Sequence, residues 1–245
     1  MEILENNEAF VLKDGDLVFD HTKLILRSGS DFFLGRSPLR NDPCTINVEN
    51  LDLQRIPTES IWPAMEARYT KAPEPPPPEC FIKRPSLMYF GDTPAASKPA
   101  QQLLDELEAC EILRLHPHPN IAQYFGCISQ DDKITGLCFR RYPMTLAERL
   151  RDKSASIDKA RCLRGVRDGL KHMHGLGLVH NDINPSNIML DGSTPIIIDF
   201  DSCKKQGEKL GLKSGTREWT KEAAEYALSE NDDHSLAKLE EFLHE

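Results

Sequence analysis

The chain has 245 residues, 39% hydrophobic and 28% charged, enough apolar content for one large domain or two small lobes. Thirty Lys and Arg stand against 39 Asp and Glu, a net charge of −9, which argues against nucleic acid or an anionic membrane as the main partner. No apolar run approaches the ~18 residues needed to cross a bilayer, and Met1-Glu2-Ile3-Leu4-Glu5 lacks the basic and apolar regions of a secretion signal, so a soluble chain is expected.

Residues 9–35 alternate the turn signals Asp14-Gly15 and Ser28-Gly29 with apolar stretches such as Leu24-Ile25-Leu26 and Phe32-Phe33-Leu34, and predict short strands. The stretch 37–72 shows no clear period. Pro73-Glu74-Pro75-Pro76-Pro77-Pro78 predicts an extended polyproline II spacer; an SH3-type ligand is the alternative, without a flanking Arg to support it. Cys80-Phe81-Ile82-Lys83 is a short strand ending in a lysine. From about Pro99 the period changes: Leu103, Leu104, Leu107, Cys110 and Ile112 step at three and four residues, the pattern of an amphipathic helix. Prolines at 117 and 119 forbid its continuation. Strands over 121–128 and 136–139 follow, then helices over 146–150 and 157–174, the second stopped by Gly175 and Gly177. A polar loop over 202–218 leads to helical signal through 220–228 and 232–243. The order predicts a two-lobed α+β plan with a site between the lobes.

Seven cysteines, at 44, 80, 110, 127, 138, 162 and 203, are scattered and form no C-x-x-C, which fits a reducing compartment. A cytoplasmic location is expected, with the nucleus left open. Cys110, Cys127, Cys138 and Cys162 sit among apolar neighbours as core fillers. Neither His116/His118 nor His172/His174 has companion ligands at zinc-site spacing.

The segment that speaks of chemistry is His180-Asn181-Asp182-Ile183-Asn184-Pro185-Ser186-Asn187, followed twelve residues after Asn187 by Asp199-Phe200-Asp201. Between them the apolar runs 188–190 and 195–198 flank Asp191-Gly192, a two-residue hairpin signal. A hairpin brings its two ends together, so Asp182, Asn187 and Asp199 converge. Hard oxygen ligands of this kind suit Mg²⁺ with phosphate.

These residues resemble the catalytic and metal-binding loops of the protein kinase superfamily, H-R-D-x-x-x-x-N followed by D-F-G. The resemblance implies a bilobal kinase-like fold, with a mainly β first lobe and a shortened, mainly α second lobe. It implies that Asp182 orients the acceptor hydroxyl and takes its proton, and that Asn187 and Asp199 hold Mg²⁺ on ATP. Lys83 matches the strand lysine that grips the α/β-phosphates, and Glu108 matches the helix glutamate that pairs with it, Glu111 being the lesser choice. Residues 139–144, with Phe139, Arg140, Arg141 and Tyr142 foremost, fall where the backbone meets adenine. Gly215-Thr216-Arg217-Glu218-Trp219-Thr220 is similar to the far end of the activation loop, and Asp232 to the residue that braces the catalytic loop from a buried helix. The implied division is 1–72 as a strand-rich extension and start of the first lobe, 73–144 as its remainder with the hinge, and 145–245 as the second lobe.

The departures are as informative. No G-x-G-x-x-G precedes Lys83, where the chain reads Gln54-Arg55-Ile56-Pro57-Thr58-Glu59-Ser60-Ile61-Trp62-Pro63. Phe81 stands where the family has a small residue above adenine: pointing inward it crowds the purine, pointing away it is harmless. Asn181 replaces the Arg of H-R-D, Asn184 a lysine that neutralises the γ-phosphate, and Asp201 the glycine of D-F-G, while Ala-Pro-Glu is degraded around 222–225. The likeness stops in the last helix, so Leu236, Leu239, Phe242 and Leu243 are expected to lose cover, which predicts self-association or marginal stability.

The leading expectation is therefore an ATP- and Mg²⁺-dependent phosphotransferase of protein-kinase type, directed at Ser/Thr hydroxyls of a protein. One alternative is a pseudokinase that binds a protein partner. Another is a small-molecule kinase of aminoglycoside or choline type, which Asn184 and Asp201 fit and residues 111–121 do not.

Overall fold

The computed structural model describes residues 1–40, 46–93, 96–152, 156–211 and 215–244, so Cys44 and part of the 202–218 loop lie outside the described residues. The chain divides into two compact units, one of residues 1–64 with 85–101 and the other of 65–84 with 102–245, boundaries other than 72 and 144.

The first unit is an antiparallel meander of β1 (Glu2–Lys13), β2 (Asp16–Ser28), β3 (Asp31–Ser37) and β4 (Leu53–Ile56), in that spatial order, followed by the single turn α1 (Thr58–Ile61). The strands are far longer than the short ones expected, because the Asp14-Gly15 turn pairs Lys13 with Asp16 and the ladder runs on to Glu2 opposite Arg27. Alternation fails in β2 between Thr22 and Leu26, all buried. Ile25 joins Phe32, Leu34, Ile56, Leu87 and Phe90 on one face, while Leu24 and Leu26 meet Ile46 on the other. A strand covered on both faces reads as a continuous apolar run.

In the second unit the polyproline run bends at residues 74–75 and turns at 78–79, so one uninterrupted extended spacer is not formed. Just before it, Thr70 and Ala72 trade backbone bonds with Cys127, 2.8 and 3.0 Å, laying this segment beside a strand. Gly126 permits that approach. Its φ is +134°, and a Cβ there would collide with the backbone of Lys71 and Ala72.

Then come β5 (Cys80–Lys83), α2 (Pro99–Leu115), β6 (Tyr124–Gln130) and β7 (Lys133–Arg140), whose strands form a sheet in the order β5-β7-β6. Helix α2 buries Leu103, Glu106, Leu107, Cys110 and Leu113. The short strand β8 (Met144–Thr145) leads into α3 (Leu146–Arg151), whose N-terminus is closed by reciprocal bonds between Thr145 and Glu148. Helix α4 (Lys159–Gly175) starts on the Asp158 carboxylate, which accepts the Arg161 N–H, and buries Cys162, Leu163, Val166, Leu170 and Met173. Each such side chain removed from water contributes about 1.5–3 kcal/mol.

Beyond β9 (Leu178–Val179), the hairpin of β10 (Ile188–Asp191) and β11 (Thr194–Ile197) pairs Ile188 with Ile197, as Asp191-Gly192 foretold. The strand β12 (Lys204–Lys205) pairs with β9, and α5 (Ser229–His244) closes the order. The helix expected over 220–228 is absent. Residues 222–223 turn, and beyond them Leu210 N–H reaches Glu225 O at 2.9 Å and Ala227 N–H reaches Glu208 O at 2.8 Å, so 225–227 is held against residues 207–210 and tertiary pairing overrides the Ala/Glu-rich propensity. The expected loss of cover on α5 is also corrected: Leu236, Leu239 and Leu243 are at most 6% exposed, and only Phe242, at 45%, is open.

Candidate active site

Lys83 ends β5 with its ammonium 2.7 Å from Glu106 Oε1 and 2.6 Å from Asp199 Oδ1. Burial works against its charge, but Glu106, Asp199 and Asp201 outweigh it and hold the lysine protonated, its pKa well raised. Burial pushes the Glu106 carboxyl up, with Lys83 as the main opposing influence.

The expected partner Glu108 is not there. It points away from Lys83, 47% exposed, 3.4 Å from Arg68. Two residues on a helix are about 200° apart, so Glu106 and Glu108 face opposite ways. Glu106 lies three after Leu103 and four before Cys110, within the apolar stripe. A carboxylate inside such a stripe was the signal that pointed to 106 rather than 108. Glu111 is engaged elsewhere, accepting the Thr70 N–H at 2.7 Å and its hydroxyl at 2.8 Å.

Asp182 is held by three donors. Oδ1 accepts the Thr216 N–H at 2.8 Å and Asn184 Nδ2 at 3.0 Å, and Oδ2 accepts Asn187 Nδ2 at 2.8 Å. Asn184 thus supplies an amide hydrogen bond where a cation was expected. Gly215, at φ +88°, lets the Thr216 segment approach, since a Cβ there would strike the Asn181 carbonyl. The Ile198 N–H donates to the Asn187 carbonyl at 3.0 Å, tying the loop to the residue that precedes Asp199.

The loop is braced from α5. Asp232, fully buried, accepts the backbone N–H of His180 at 2.9 Å and of Asn181 at 2.7 Å, and pairs with His174 Nε2 at 2.8 Å. Asn181 is at φ 64°, an uncommon conformation outside glycine. Its amide donates to Val179 O and Ser202 O, both at 3.1 Å, and its Oδ1 accepts from Asn231 at 3.0 Å. A buried amide here fixes the backbone and leaves no cation to meet a phosphorylated loop. His180 donates Nε2–H to Ile198 O at 3.0 Å and accepts the Asp182 N–H at Nδ1, 3.3 Å.

A cavity of about 380 Å³ is lined by Phe81, Lys83, Glu106, Asp199 and all four hinge residues, Phe139, Arg140, Arg141 and Tyr142. Phe81 and Lys83, two apart on β5, share a face, so the phenylalanine points into the cavity and narrows it. In the hinge, Arg141 N–H donates to Glu79 O at 3.0 Å and Arg140 N–H to Gln123 O at 2.9 Å. Arg140 also pairs with Asp191 at 2.9 Å and lies 5.4 Å over the Tyr142 ring.

The histidines divide: His118 stacks on His172 at 4.8 Å while His174 serves Asp232. Among the described residues no group of three or more His, Cys, Asp or Glu is placed to hold a metal unaided. The core cysteines are buried, which pushes the Cys162 thiol up to about 11 and the Cys138 thiol up to about 12.

Comparison with known proteins places this geometry. The family model "Protein kinase domain" matches residues 92–230, more than half of the chain. Mitogen-activated protein kinase kinase kinase 5 of Arabidopsis thaliana is 28% identical over 160 residues, 62% of this chain and 22% of that protein. MAP kinase kinase kinase SSK2 of Saccharomyces cerevisiae is 30% identical over 146 residues, 58% of this chain and 9% of that protein. Protein kinase MCK1 of the same yeast is 35% identical over 109 residues, covering 39% and 29% respectively. The chain thus spans less than a third of the length of each of these three relatives.

Proposed function

This chain belongs to the protein kinase family, and we propose that it is an ATP- and Mg²⁺-dependent phosphotransferase acting on serine or threonine hydroxyls of a protein. The observation that carries the reading is Lys83 fixed between Glu106 and Asp199, at 2.7 and 2.6 Å, in the unit where Asp182 is held by three donors. The likeness to protein kinases of a plant and of yeast supports a protein acceptor.

The residues fit the expected metal. The Asn187 amide, whose nitrogen is spent on Asp182, offers its oxygen, and Asp199 offers a carboxylate. These are hard donors, and among the described residues no thiol or imidazole lines the cavity that holds Asp199. Asn187 and Asp199 are the residues that would hold Mg²⁺. Bound there, the ion neutralises phosphate charge during transfer. Lys83, kept charged, binds the α/β-phosphates. Asp182 aligns the acceptor hydroxyl and receives its proton, with Thr216, Asn184 and Asn187 fixing the carboxylate so that no reorientation is needed. Asn184 brings no charge to the γ-phosphate, so a slow enzyme is expected.

A second reading, a binding module without catalysis, is favoured by Phe81, which points into the cavity, and by β5, which among the described residues pairs with β7 alone. Among the described residues no glycine-rich strand pair extends that sheet. Thermal unfolding with and without Mg-ATP separates the two, run beside Asp199→Asn and Lys83→Ala. Occupancy at 100 Kd adds about 2.7 kcal/mol, about 5–10 °C for a chain of this size. A Mg²⁺-dependent shift lost in both variants, with phosphate transfer to a protein acceptor, supports the enzyme. No shift at millimolar nucleotide leaves the binding module.

A further inference from the structure

A second cavity, about 460 Å³, has Asp182 in its wall and shares no residue with the Lys83 cavity. Its apolar lining comes from Ala147 and Leu150 on α3, Pro185, Trp219 and Phe242. Trp219 and Phe242 meet edge to face, ring centres 5.4 Å apart at 81°. Phe242 stays 45% exposed while Leu236, Leu239 and Leu243 of the same helix are buried, so one aromatic is presented outward beside the reacting position. A half-buried tryptophan carrying an exposed phenylalanine at the mouth of a site is a platform for an apolar side chain.

The charges on this wall are lopsided. Among the described residues Arg151 is its one cation. Its Nε donates to Ala147 O at 3.3 Å, and its charge acts on Glu148 of the same helix without an ion pair between them. Asp182 is, among the described residues, the one carboxylate of this wall, and its oxygens already accept three hydrogen bonds. Ser186, exposed, is uncharged. Among its described residues the wall therefore offers no carboxylate beyond the already bonded Asp182 to receive a basic side chain, and one guanidinium to receive an acidic one.

We infer that the acceptor is an acidic-apolar segment: its serine or threonine at Asp182, a neighbouring aromatic or aliphatic side chain on Trp219 and Phe242, and a carboxylate or phosphate group on Arg151. This rests on the reading of Asp182 as the residue that meets the acceptor hydroxyl, and it names the substrate class of that same site. Peptides with Arg or Lys beside the hydroxyl are disfavoured, because among the described residues of this wall no carboxylate besides Asp182 stands to pair with them.

The test uses the full chain and two fluorescein-labelled serine peptides of equal length, one flanked by Glu and Phe or Leu, the other by Arg and Lys. Their binding is read by fluorescence anisotropy and their phosphorylation by radiolabel from Mg-ATP. The acidic-apolar peptide is expected to bind at least tenfold tighter. Phe242→Ala should weaken it about tenfold, and Arg151→Glu should abolish or reverse the preference. Both residues are exposed, and unchanged melting temperatures will show that the variants fold. Equal binding of the two peptides, tighter binding of the basic one, binding of neither, or a preference indifferent to Arg151→Glu overturns the inference. If that happens while the Mg-ATP shift is intact, the phosphotransfer reading survives alone. If the preference appears without label transfer, the pocket survives as a docking site and the phosphotransfer reading falls.

Discussion

Lys83→Met isolates the electrostatics of the first cavity. The Glu106 side chain is 4% exposed and sits 2.7 Å from the lysine. Removing the ammonium leaves a buried carboxylate without its cation, a loss of about 3–5 kcal/mol. Glu106 can escape by binding a proton. From an unfolded pKa of about 4.3, holding that proton at pH 7 costs about 3.7 kcal/mol, at 1.36 kcal/mol per unit. The two routes give similar figures, so a destabilisation of about 3–4 kcal/mol is expected, or roughly 6–16 °C in Tm. Burial already pushes Glu106 up in the native chain, and losing Lys83 pushes it further. A carboxyl with a raised folded pKa binds more protons folded than unfolded, so its contribution to stability falls as pH rises. The gap between wild type and variant therefore widens with pH above the native Glu106 pKa and closes below it. The double variant Lys83→Met/Glu106→Gln should recover most of the loss and most of the pH dependence. Calorimetry across pH 5–8 checks this, with Glu106→Gln and Glu108→Gln alongside. Glu108→Gln should cost no more than about 1 kcal/mol, since an exposed pair at 3.4 Å contributes little. A Lys83→Met protein as stable as wild type at pH 7, or a Glu108→Gln effect equal to Glu106→Gln, would refute the assignment.

Phe81→Ala, which opens the cavity, should tighten Mg-ATP binding about tenfold, or about 1.4 kcal/mol, by titration calorimetry; unchanged affinity means the ring swings clear. Asp182→Asn should keep nucleotide binding and lower the rate of phosphate transfer about 10²–10⁴-fold, the range for losing a proton acceptor. Asp232→Ala strips His180 and Asn181 of a shared buried acceptor and should destabilise by about 3–5 kcal/mol. Hydrogen exchange at the 180–182 amides should rise well above that of α4, and parity between the two would contradict the bracing role.

What the sequence disclosed was local or carried by a spacing that the fold must respect. Asp182, Asn187 and Asp199 were legible because a two-residue turn leaves one way to pair 188–191 with 194–197. Lys83 was legible as the end of a short strand. Glu106 was not, because motif counting placed the carboxylate two residues late, although the apolar stripe on α2 already marked 106 as inward. The direction of Phe81 depended on the register of β5 against β7, which a four-residue strand does not declare. The meander of β1 to β4 was underread because β1 is largely exposed and carries little alternation. Residues 220–228 misled for the opposite reason, since their local preference was clear and long-range pairing overruled it.

The brace at Asp232 has a consequence for synthesis. The 180–182 loop leaves the ribosome some fifty residues ahead of the carboxylate that must receive its two N–H groups, and one of its residues sits in a backbone conformation few side chains adopt unaided. A nascent chain that has grown only through β11 holds its reaction centre in rough draft. The centre becomes a defined object when α5 docks, so nothing translated short of that helix carries a finished site, and a late-made helix decides when the earlier loop is ready.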